Sequence, residues 1–438
     1  MKEDWIECEA NLLGDLIRGI NYKKPQSADI AKDNFLPILR ANNINENHLN
    51  FDNLKYVEEE LVKEEQKILS GDIIFAMSSG SKHLVGKSAQ AKDNYNLSFG
   101  AFCSVFRPNE NINSKFIQCY FHSSTFRGII SKASKGSNIN NLKREHILNA
   151  EIPLPPLPIQ KTIVKKIEEL FSSLDSGIAD LKKAQNQLVI YRQAVLSSCF
   201  PKNKKIEISE LVDNLSQGWS PKCINQNSTD PTEWAVIKTS AIQAGKFVEI
   251  ENKILPDTLE PREQHEIKKG DILITRAGPR VRVGICCLVK QTRPKLINCD
   301  KVYRIGINQE LVTPEYFEYA LNSPEILSEI EIMKSGSSDS GLNLTQKAFL
   351  KLEIPICSKE AQHQIVSDIE SRLSVCDTVE KDIADSLEKA QALRQSILKK
   401  AFEGKLLSEE EIAACKAHPE YEPAGDLLER IKAEKLKK

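Results

Sequence analysis

The sequence of 438 residues lacks several features that would assign it to a familiar class. It has no apolar run near the roughly 20 residues that a membrane helix needs, so we expect no membrane-spanning segment. Residues 1–13 have mixed charge and no signal-peptide core. The eleven cysteines form no Cys-x-x-Cys pair, which predicts reduced thiols and a cytoplasmic protein. Cys119 and His122 have metal-like spacing but no second pair nearby, so we expect no metal site.

Motifs for catalysis are also missing. There is no Gly-x-Gly-x-x-Gly loop and no Asn-Pro-Pro-aromatic motif of the kind that adenine methyltransferases use on a flipped base. Residues 80–88 resemble a phosphate-binding loop, but five residues separate the glycines where four are needed. Asp257 with Glu266 and Lys268 resembles a metal-dependent nuclease pattern, although the residues between show no strand signature. We predict a non-catalytic chain, with a stand-alone nuclease or ATPase as an alternative.

Charge is almost balanced over the whole chain but not along it. The net charge is −1, which by itself does not indicate a nucleic-acid-binding protein. Residues 276–304, however, contain eight basic side chains and one acidic one, and residues 132–144 contain four basic side chains and no acidic one. Local clusters of this kind can bind phosphates in a neutral chain, although a solvated charged face is the alternative for each cluster alone.

The second half of the sequence repeats the first. Gly71-Asp72 recurs 199 positions later as Gly270-Asp271, each followed by a short apolar run that predicts a strand. Glu151-Ile152-Pro153 recurs 202 positions later as Glu353-Ile354-Pro355. Since the period is near 200 residues, this is a duplicated domain and not a solenoid of short repeats. Short helical patterns such as 314–321 lie between the strands, so each copy is predicted to mix α and β structure.

Each copy ends in a long helical pattern. From Ile163 to Val195 apolar residues recur at alternating spacings of four and three, and the pattern returns from Ile365 to Ile397. This is the a/d repeat of a coiled coil, over about 40 residues or about 60 Å for each helix. Two such helices in one chain, each after a globular domain, are expected to pack antiparallel.

A second apolar stripe runs beside the first and predicts a larger helical bundle, because a two-helix coil needs only the a and d positions. We favour helices of partner subunits as the cover, with the two globular domains as the alternative. The stripe consists of Val164, Phe171, Ile178, Val366, Leu373 and Leu387.

Two loops in each copy combine small polar residues with positive charge. Arginine can bind guanine in a bidentate manner, while serine and lysine suit phosphates and adaptable base contacts. The two copies diverge most in these loops, as domains that bind different short sequences would. The candidates for DNA contact are Ser78, Ser79 and Lys82; Lys132, Lys135, Ser137 and Asn138; Arg276, Arg280 and Arg282; and Lys334, Ser335 and Ser337.

Four features give the chain a family resemblance. It resembles the specificity subunits, HsdS, of type I restriction–modification enzymes in the duplicated mixed domain, the Gly-Asp turn before an apolar run, residues 151–160 (EIPLPPLPIQ) before the first long helix, and residues 401–406 (AFEGKL). The resemblance covers nearly the whole chain, from about Leu13-Gly14-Asp15 to the tail. The resemblance implies two target recognition domains that bind a bipartite site in double-stranded DNA. It also implies that two methyltransferase subunits, and restriction/translocase subunits, dock on the helices. S-adenosylmethionine, ATP and Mg²⁺ are then expected on those partners and none on this chain.

The predicted fold is therefore α+β, with two repeated mixed α/β target recognition domains joined by two long antiparallel helices that form a coiled coil. A coiled-coil scaffold without DNA recognition is the alternative. The predicted bounds are 1–158 for the first domain, 159–199 for the central helix, 200–358 for the second domain, 359–404 for the second helix and 405–438 for a tail with a short amphipathic helix.

Overall fold

The chain divides into two compact units in a computed structural model. The structure describes residues 4–45, 47–78, 85–134 and 142–437, and it describes side chains for all of these except 131–134. The first unit comprises Met1–Asp180 and Ser386–Lys438, and the second comprises Leu181–Asp385. Both units mix helices and sheets and both contain parts of two long helices, so the predicted fold class is confirmed.

The first copy is built from short strands and helices, which lead into a long helix. In chain order the elements are β1 (Ile6–Glu9), α1 (Ala10–Leu13), β2 (Gly14–Arg18), β3 (Ser27–Ala28), β4 (Phe35–Leu39), β5 (Ile44–Asn45), β6 (His48–Leu49), β7 (Lys55–Glu58), β8 (Ile73–Ala76), β9 (Ser88–Gln90), β10 (Ser98–Phe99), β11 (Cys103–Pro108), α2 (Ser114–Phe121), α3 (Ser124–Ser134), α4 (Arg144–Leu148), β12 (Glu151–Leu154) and α5 (Leu157–Cys199).

The second copy follows the same plan. Its elements are β13 (Lys205–Glu207), α6 (Ile208–Leu211), β14 (Val212–Gln217), β15 (Ala235–Ile237), β16 (Ile242–Gln243), β17 (Lys246–Phe247), β18 (Asn252–Ile254), β19 (Ile272–Thr275), β20 (Ala277–Gly278), β21 (Cys286–Leu288), β22 (Leu296–Ile297), β23 (Val302–Ile307), α7 (Pro314–Leu321), α8 (Pro324–Met333), β24 (Leu342–Asn343), α9 (Gln346–Leu350), β25 (Glu353–Pro355) and α10 (Lys359–Phe402). Two tail helices follow, α11 (Glu409–Lys416) and α12 (Ala424–Lys435).

The sheets of the two copies have the same strand order. In the first copy β2-β11-β8-β9 form one sheet, and in the second copy β14-β23-β19-β21 form its counterpart. The central strands β8 and β19 are buried along their whole length, which explains why they read as continuous apolar runs. Each follows the repeated Gly-Asp turn, where Gly71 and Gly270 have φ of 89° and 95° and so adopt the left-handed backbone that glycine tolerates best.

The long helices α5 and α10 run antiparallel wherever they meet within a unit. In the first unit Arg394 of α10 pairs with Asp175 of α5, and its guanidinium lies 4.9 Å from the centre of the Phe171 ring. In the second unit Arg192 of α5 pairs with Asp377 of α10 at 2.7 Å. From Asp175 to Arg192 the number along α5 rises by 17, and from Arg394 to Asp377 the number along α10 falls by 17, as antiparallel helices require. The packing of their apolar faces supplies most of the stability of these helices.

The contact line between the helices follows most of the predicted a/d line. Cys376 and Ile383, both predicted seam residues, are buried. By contrast Tyr191, Val379 and Leu393, which the heptad pattern also placed in the seam, are 49, 38 and 48% exposed. Next to two of these, Arg192 and Arg394 are half-buried and form ion pairs across the helices, so the seam departs from the a/d line only locally.

The end of each long helix packs against a domain core. Phe402, the last residue of α10, packs on Phe116 and Tyr120 of α2, with ring centroids 5.2 and 5.3 Å apart. Phe200, just after α5, lies 5.3 Å from Tyr316 of α7. The helix that leaves one copy therefore ends on the core of the other.

The tail folds onto the first copy with two helices, where the sequence predicted one short amphipathic helix. Ser408 caps α11 by accepting a hydrogen bond from the Glu411 amide at 3.2 Å. The apolar face of α12 is buried in the first core, and Lys435 at its end donates to the carbonyl of Gly14 at 3.0 Å.

Candidate DNA interface

The first predicted DNA-contact loop of the second copy begins at Arg276, directly after the buried strand β19. The Nε of Arg276 donates to the carbonyl of Asp300 at 2.7 Å, and its guanidinium lies 5.7 Å from the centre of the Tyr303 ring. The side chain is half-buried. Its Nη1 also donates to the Oδ1 of Asn343 at 3.4 Å. Three contacts therefore orient the guanidinium, which is how a protein prepares an arginine for bidentate recognition at low entropic cost.

The second predicted loop of this copy lies beside the first. Strand β20, just after Arg276, pairs antiparallel with β24, where Ala277 faces Asn343. Ser335 and Asn343 exchange two backbone hydrogen bonds of 2.9 and 2.8 Å. The Nζ of Lys334 donates to the carbonyl of Arg280 at 2.8 Å. Two loops that are about 60 residues apart in sequence thus form one surface.

Acidic neighbours neutralise part of the positive charge at this surface. Arg280 pairs with Glu331, and its Nε donates to Asp339 at 3.0 Å. Lys334 shares the same Glu331, at 2.6 Å. Hydrogen bonds from Lys334 and Arg280 lower the pKa of the Glu331 carboxyl, so this cluster is an internal salt-bridge network. Such a network orders the loop, and it leaves less charge for phosphates than the sequence predicts.

The remaining candidates of this copy sit at the edge of the network. Arg282 is half-buried in the turn after Gly278, where its amide donates to the carbonyl of Pro279 at 2.8 Å. Ser337 is exposed in the second loop. Both are accessible, and neither is held as Arg276 is.

The backbone hydrogen bonds around Ser78 in the first copy match those around Arg276 in the second, and we call this shared arrangement the backbone frame. The amide of Leu142 donates to the carbonyl of Met77 at 2.7 Å, as the amide of Leu344 donates to the carbonyl of Arg276 in the second copy. Met77 and Arg276 are therefore equivalent positions with different side chains. Five candidates of this copy lie outside the described residues, and only the backbone of Lys132, within α3, is described. The five are Ser79, Lys82, Lys135, Ser137 and Asn138.

The structure adds residues that the sequence analysis missed. Arg18, Lys143, Arg144 and the ring of Phe102 line one cleft with Ser78 in the first copy. Two of them, Lys143 and Arg144, belong to the basic run 132–144, which the sequence already indicated. Nothing in the sequence indicates that Phe102 remains on the surface, because exposure of a single aromatic residue depends on tertiary structure.

The stripe predicted to face partner subunits is largely covered by the chain itself. Val164 is 6% exposed and belongs to the first core, and Phe171 packs against that core and under Arg394. Val366 packs against the second core. This agrees with the alternative in which the domains cover the stripe. The other three members, Ile178, Leu373 and Leu387, are half-buried along the helices.

The patterns that resembled catalytic motifs serve structural roles where they are described. Ser88, which would begin a helix in a phosphate-binding loop, is buried in strand β9. The carboxylate of Glu266 accepts a hydrogen bond from the amide of Lys295 at 2.6 Å. Burial raises the pKa of the Cys119 thiol to about 12, and His122 contacts the carbonyl of Ser88 at 3.0 Å.

Two properties of the described residues bear on other classes of protein. Across 4–45, 47–78, 85–134 and 142–437, no group of three or more His, Cys, Asp or Glu side chains is arranged to hold a metal ion. Within the same ranges, every helix is too short or too polar to span a bilayer.

Comparisons with known proteins agree with the duplication. The family described as "Type I restriction modification DNA specificity domain" matches residues 6–187 and again residues 202–389. The chain is 33% identical to the EcoKI specificity subunit of Escherichia coli K12 and 32% identical to the StySPI specificity subunit of Salmonella potsdam. In both cases the alignment covers 99% of this chain and 96% of the relative.

Solved structures share the fold. One is a chain from a study of complex assembly and conformational transition of the type I restriction–modification system, with a TM-score of 0.70 and 18% identity over 92% of this chain and 98% of that one. The HsdS subunit from Thermoanaerobacter tengcongensis has a TM-score of 0.50, also with 18% identity and the same coverage. At 18% identity, these similarities show a shared fold.

Proposed function

The chain belongs to the type I restriction–modification DNA specificity family, and we propose that it is the subunit that selects the DNA sequence for such an enzyme. Its two copies each bind one half of a bipartite site in double-stranded DNA. The chain itself does no chemistry and holds no cofactor. S-adenosylmethionine, ATP and Mg²⁺ are bound by its methyltransferase and restriction/translocase partners.

One observation carries the proposal. Equivalent backbone frames in the two copies carry different side chains at equivalent positions: Met77 is buried in the core of the first copy, where the second copy has the half-buried Arg276. A frame that is kept while its side chains change is what two domains of one origin need in order to recognise two different short sequences. Arginine held by an aromatic ring and a carbonyl suits guanine O6 and N7, the commonest specific contact in the major groove.

We infer that the methyltransferase subunits dock along α5 and α10, on apolar residues that the helices leave exposed. These are Val189, Ile190, Tyr191, Val375, Val379 and Leu393. Exposed apolar residues on a long helix are typical of a surface that another helix covers. The near-zero net charge supports a subunit that needs its partners for many of the phosphate contacts.

A map of N6-methyladenine across the genome of a methylation-deficient host tests the proposal. The host expresses this chain with its methyltransferase subunit, and the control host expresses the methyltransferase alone. We expect a new motif of two short specified halves with an unspecified spacer, present only with this chain. No new methylation from a soluble, associated pair of proteins would favour the scaffold alternative.

A further inference from the structure

A large aromatic ring stands in solvent on a rigid turn of the first copy. Phe102 lies between β10 and β11, and it is 67% exposed. Its carbonyl accepts hydrogen bonds from the amides of Met77 at 2.8 Å and Ser78 at 3.3 Å. The next residue, Cys103, is fully buried, and its amide donates to the carbonyl of Gly100 at 2.8 Å. The backbone of the turn is therefore fixed on both sides, and it holds the ring outward.

The surroundings of this ring are cationic. Arg18, Lys143 and Arg144 are exposed in the same cleft, with Glu145 as the acidic residue of its lining. The guanidinium of Arg144 is anchored by a 2.6 Å hydrogen bond to the carbonyl of Leu16. An apolar centre inside a basic rim suits an occupant that carries phosphates around an apolar contact point.

The second copy has a different residue in the same frame. There the carbonyl of Lys301 accepts hydrogen bonds from the amides of Arg276 and Ala277, at 2.9 and 3.3 Å. Phe102 is thus equivalent to Lys301, as Met77 is to Arg276. The frame therefore exposes the ring of Phe102 in the first copy, where Met77 is buried, and it carries the two cations Arg276 and Lys301 in the second.

The chemistry of the major groove separates these two cases. Arginine and lysine pair with guanine O6 and N7, whereas an apolar side chain such as phenylalanine contacts the C5-methyl group of thymine. Because hydrogen bonds already fix the backbone of the turn, this contact costs only the rotamer freedom of the ring, which has two side-chain torsions.

We propose that Phe102 is a specificity-determining residue of the first copy, which selects a thymine in its half-site through contact with the C5-methyl group. The inference rests on the proposed function, and it names a base that the first half-site must contain. It also places this position at the same point of the frame as Lys301 in the second copy.

Methylation maps of three variants test the inference in the complex with the methyltransferase. F102A is expected to relax one thymine position in one half-site, whereas F102L is expected to keep it because leucine remains apolar. The matched variant R276A is expected to alter only the other half-site. The inference is overturned if F102A leaves both half-sites unchanged, if F102A and R276A alter the same one, or if that half-site contains no A·T pair.

Uracil-substituted DNA gives a second, quantitative measurement. Each thymine of the wild-type site is replaced by uracil, which lacks only the methyl group, and binding of the complex is titrated. We expect one replacement to weaken wild-type binding about fourfold, the value of one buried methyl group, and to have no effect on F102A. Equal sensitivity of both proteins would overturn the inference. Absence of any bipartite motif with the wild-type chain would instead mean that the proposed function itself is wrong.

Discussion

The ring of Phe402 lies edge-on against the ring of Tyr120, with centroids 5.3 Å apart and planes at 83°. The first ring ends α10, after the whole second copy, and the second belongs to α2 of the first copy. One aromatic contact therefore secures the return of the chain to the domain with which it began. Edge-to-face pairs of this kind add to the free energy gained by burial.

Truncation of this ring should destabilise the first unit. We expect F402A to lower the free energy of unfolding by about 3–5 kcal/mol, the usual cost for a buried phenylalanine. F200A, which removes a half-buried ring with one aromatic neighbour, should cost less. Thermal unfolding of the full chain measures both. F102A is the control with an exposed ring, and a cost as large as that of F402A would contradict the packing described here.

A buried glutamine at the start of each long helix should be equally important. Gln160 accepts from the amide of Asn113 at 3.0 Å and donates to the carbonyl of Pro155 at 2.8 Å. Gln362 accepts from the amide of Thr313 at 2.9 Å in the same way. Since leucine cannot replace these bonds, we expect Q160L and Q362L each to cost about 1–3 kcal/mol. The exposed Q193L is the control, and denaturant unfolding that fails to separate it from the other two would count against this role.

Stability should depend on pH through Glu318, a buried carboxyl in α7. Burial raises its pKa from 4.5 to about 7. A raised pKa means that the folded protein binds the proton more tightly than the unfolded chain. The stabilising effect is complete below pH 4.5 and is lost as the pH rises to about 7. E318Q should therefore be the more stable protein at pH 8, by up to about 3 kcal/mol.

The equivalent residue of the first copy is already neutral, because Gln118 occupies the position. Unfolding of wild type and E318Q, followed from pH 5 to pH 8, tests the prediction. A constant difference between the two proteins across this range would show that Glu318 does not titrate there.

The difference in burial along α10 predicts opposite effects for two apolar residues of the heptad pattern. Ile383 is buried, so I383A should cost about 2–4 kcal/mol. Leu393 is exposed, so L393A should change stability by less than about 0.5 kcal/mol. L393A should instead weaken association with the methyltransferase, which analytical ultracentrifugation of the mixed subunits can measure. Similar stability losses for both variants would mean that Leu393 also lies in the seam, as the heptad pattern predicts.

The length of the helix pair should set the spacer of the DNA site. One heptad inserted into each helix, between the Arg394–Asp175 and Arg192–Asp377 pairs, preserves the seam and adds about 10.5 Å. At about 3.4 Å for each base pair, we expect the spacer to grow by about three base pairs. A methylation map of the variant measures the spacer length directly. A spacer of unchanged length in an active variant would show that the helices do not act as the ruler.

Much of the architecture could be predicted because its signals are local or repetitive. The Gly-Asp turns at 71–72 and 270–271 and the apolar runs after them specify strands over a few residues. The heptad spacing specifies two long helices whatever they pack against. The duplication itself needs only the comparison of one half of the chain with the other.

Contacts between distant segments decided the rest. The heptad pattern placed Tyr191, Val379 and Leu393 in the seam, but the fold leaves them exposed. The sequence predicted that Arg280 and Lys334 contact DNA, but in the folded chain both side chains pair with Glu331. No sequence pattern predicted that the side chain of Phe102 is exposed. Composition and periodicity thus determined which elements form, whereas pairing, burial and charge neutralisation depend on neighbours that only the tertiary structure supplies.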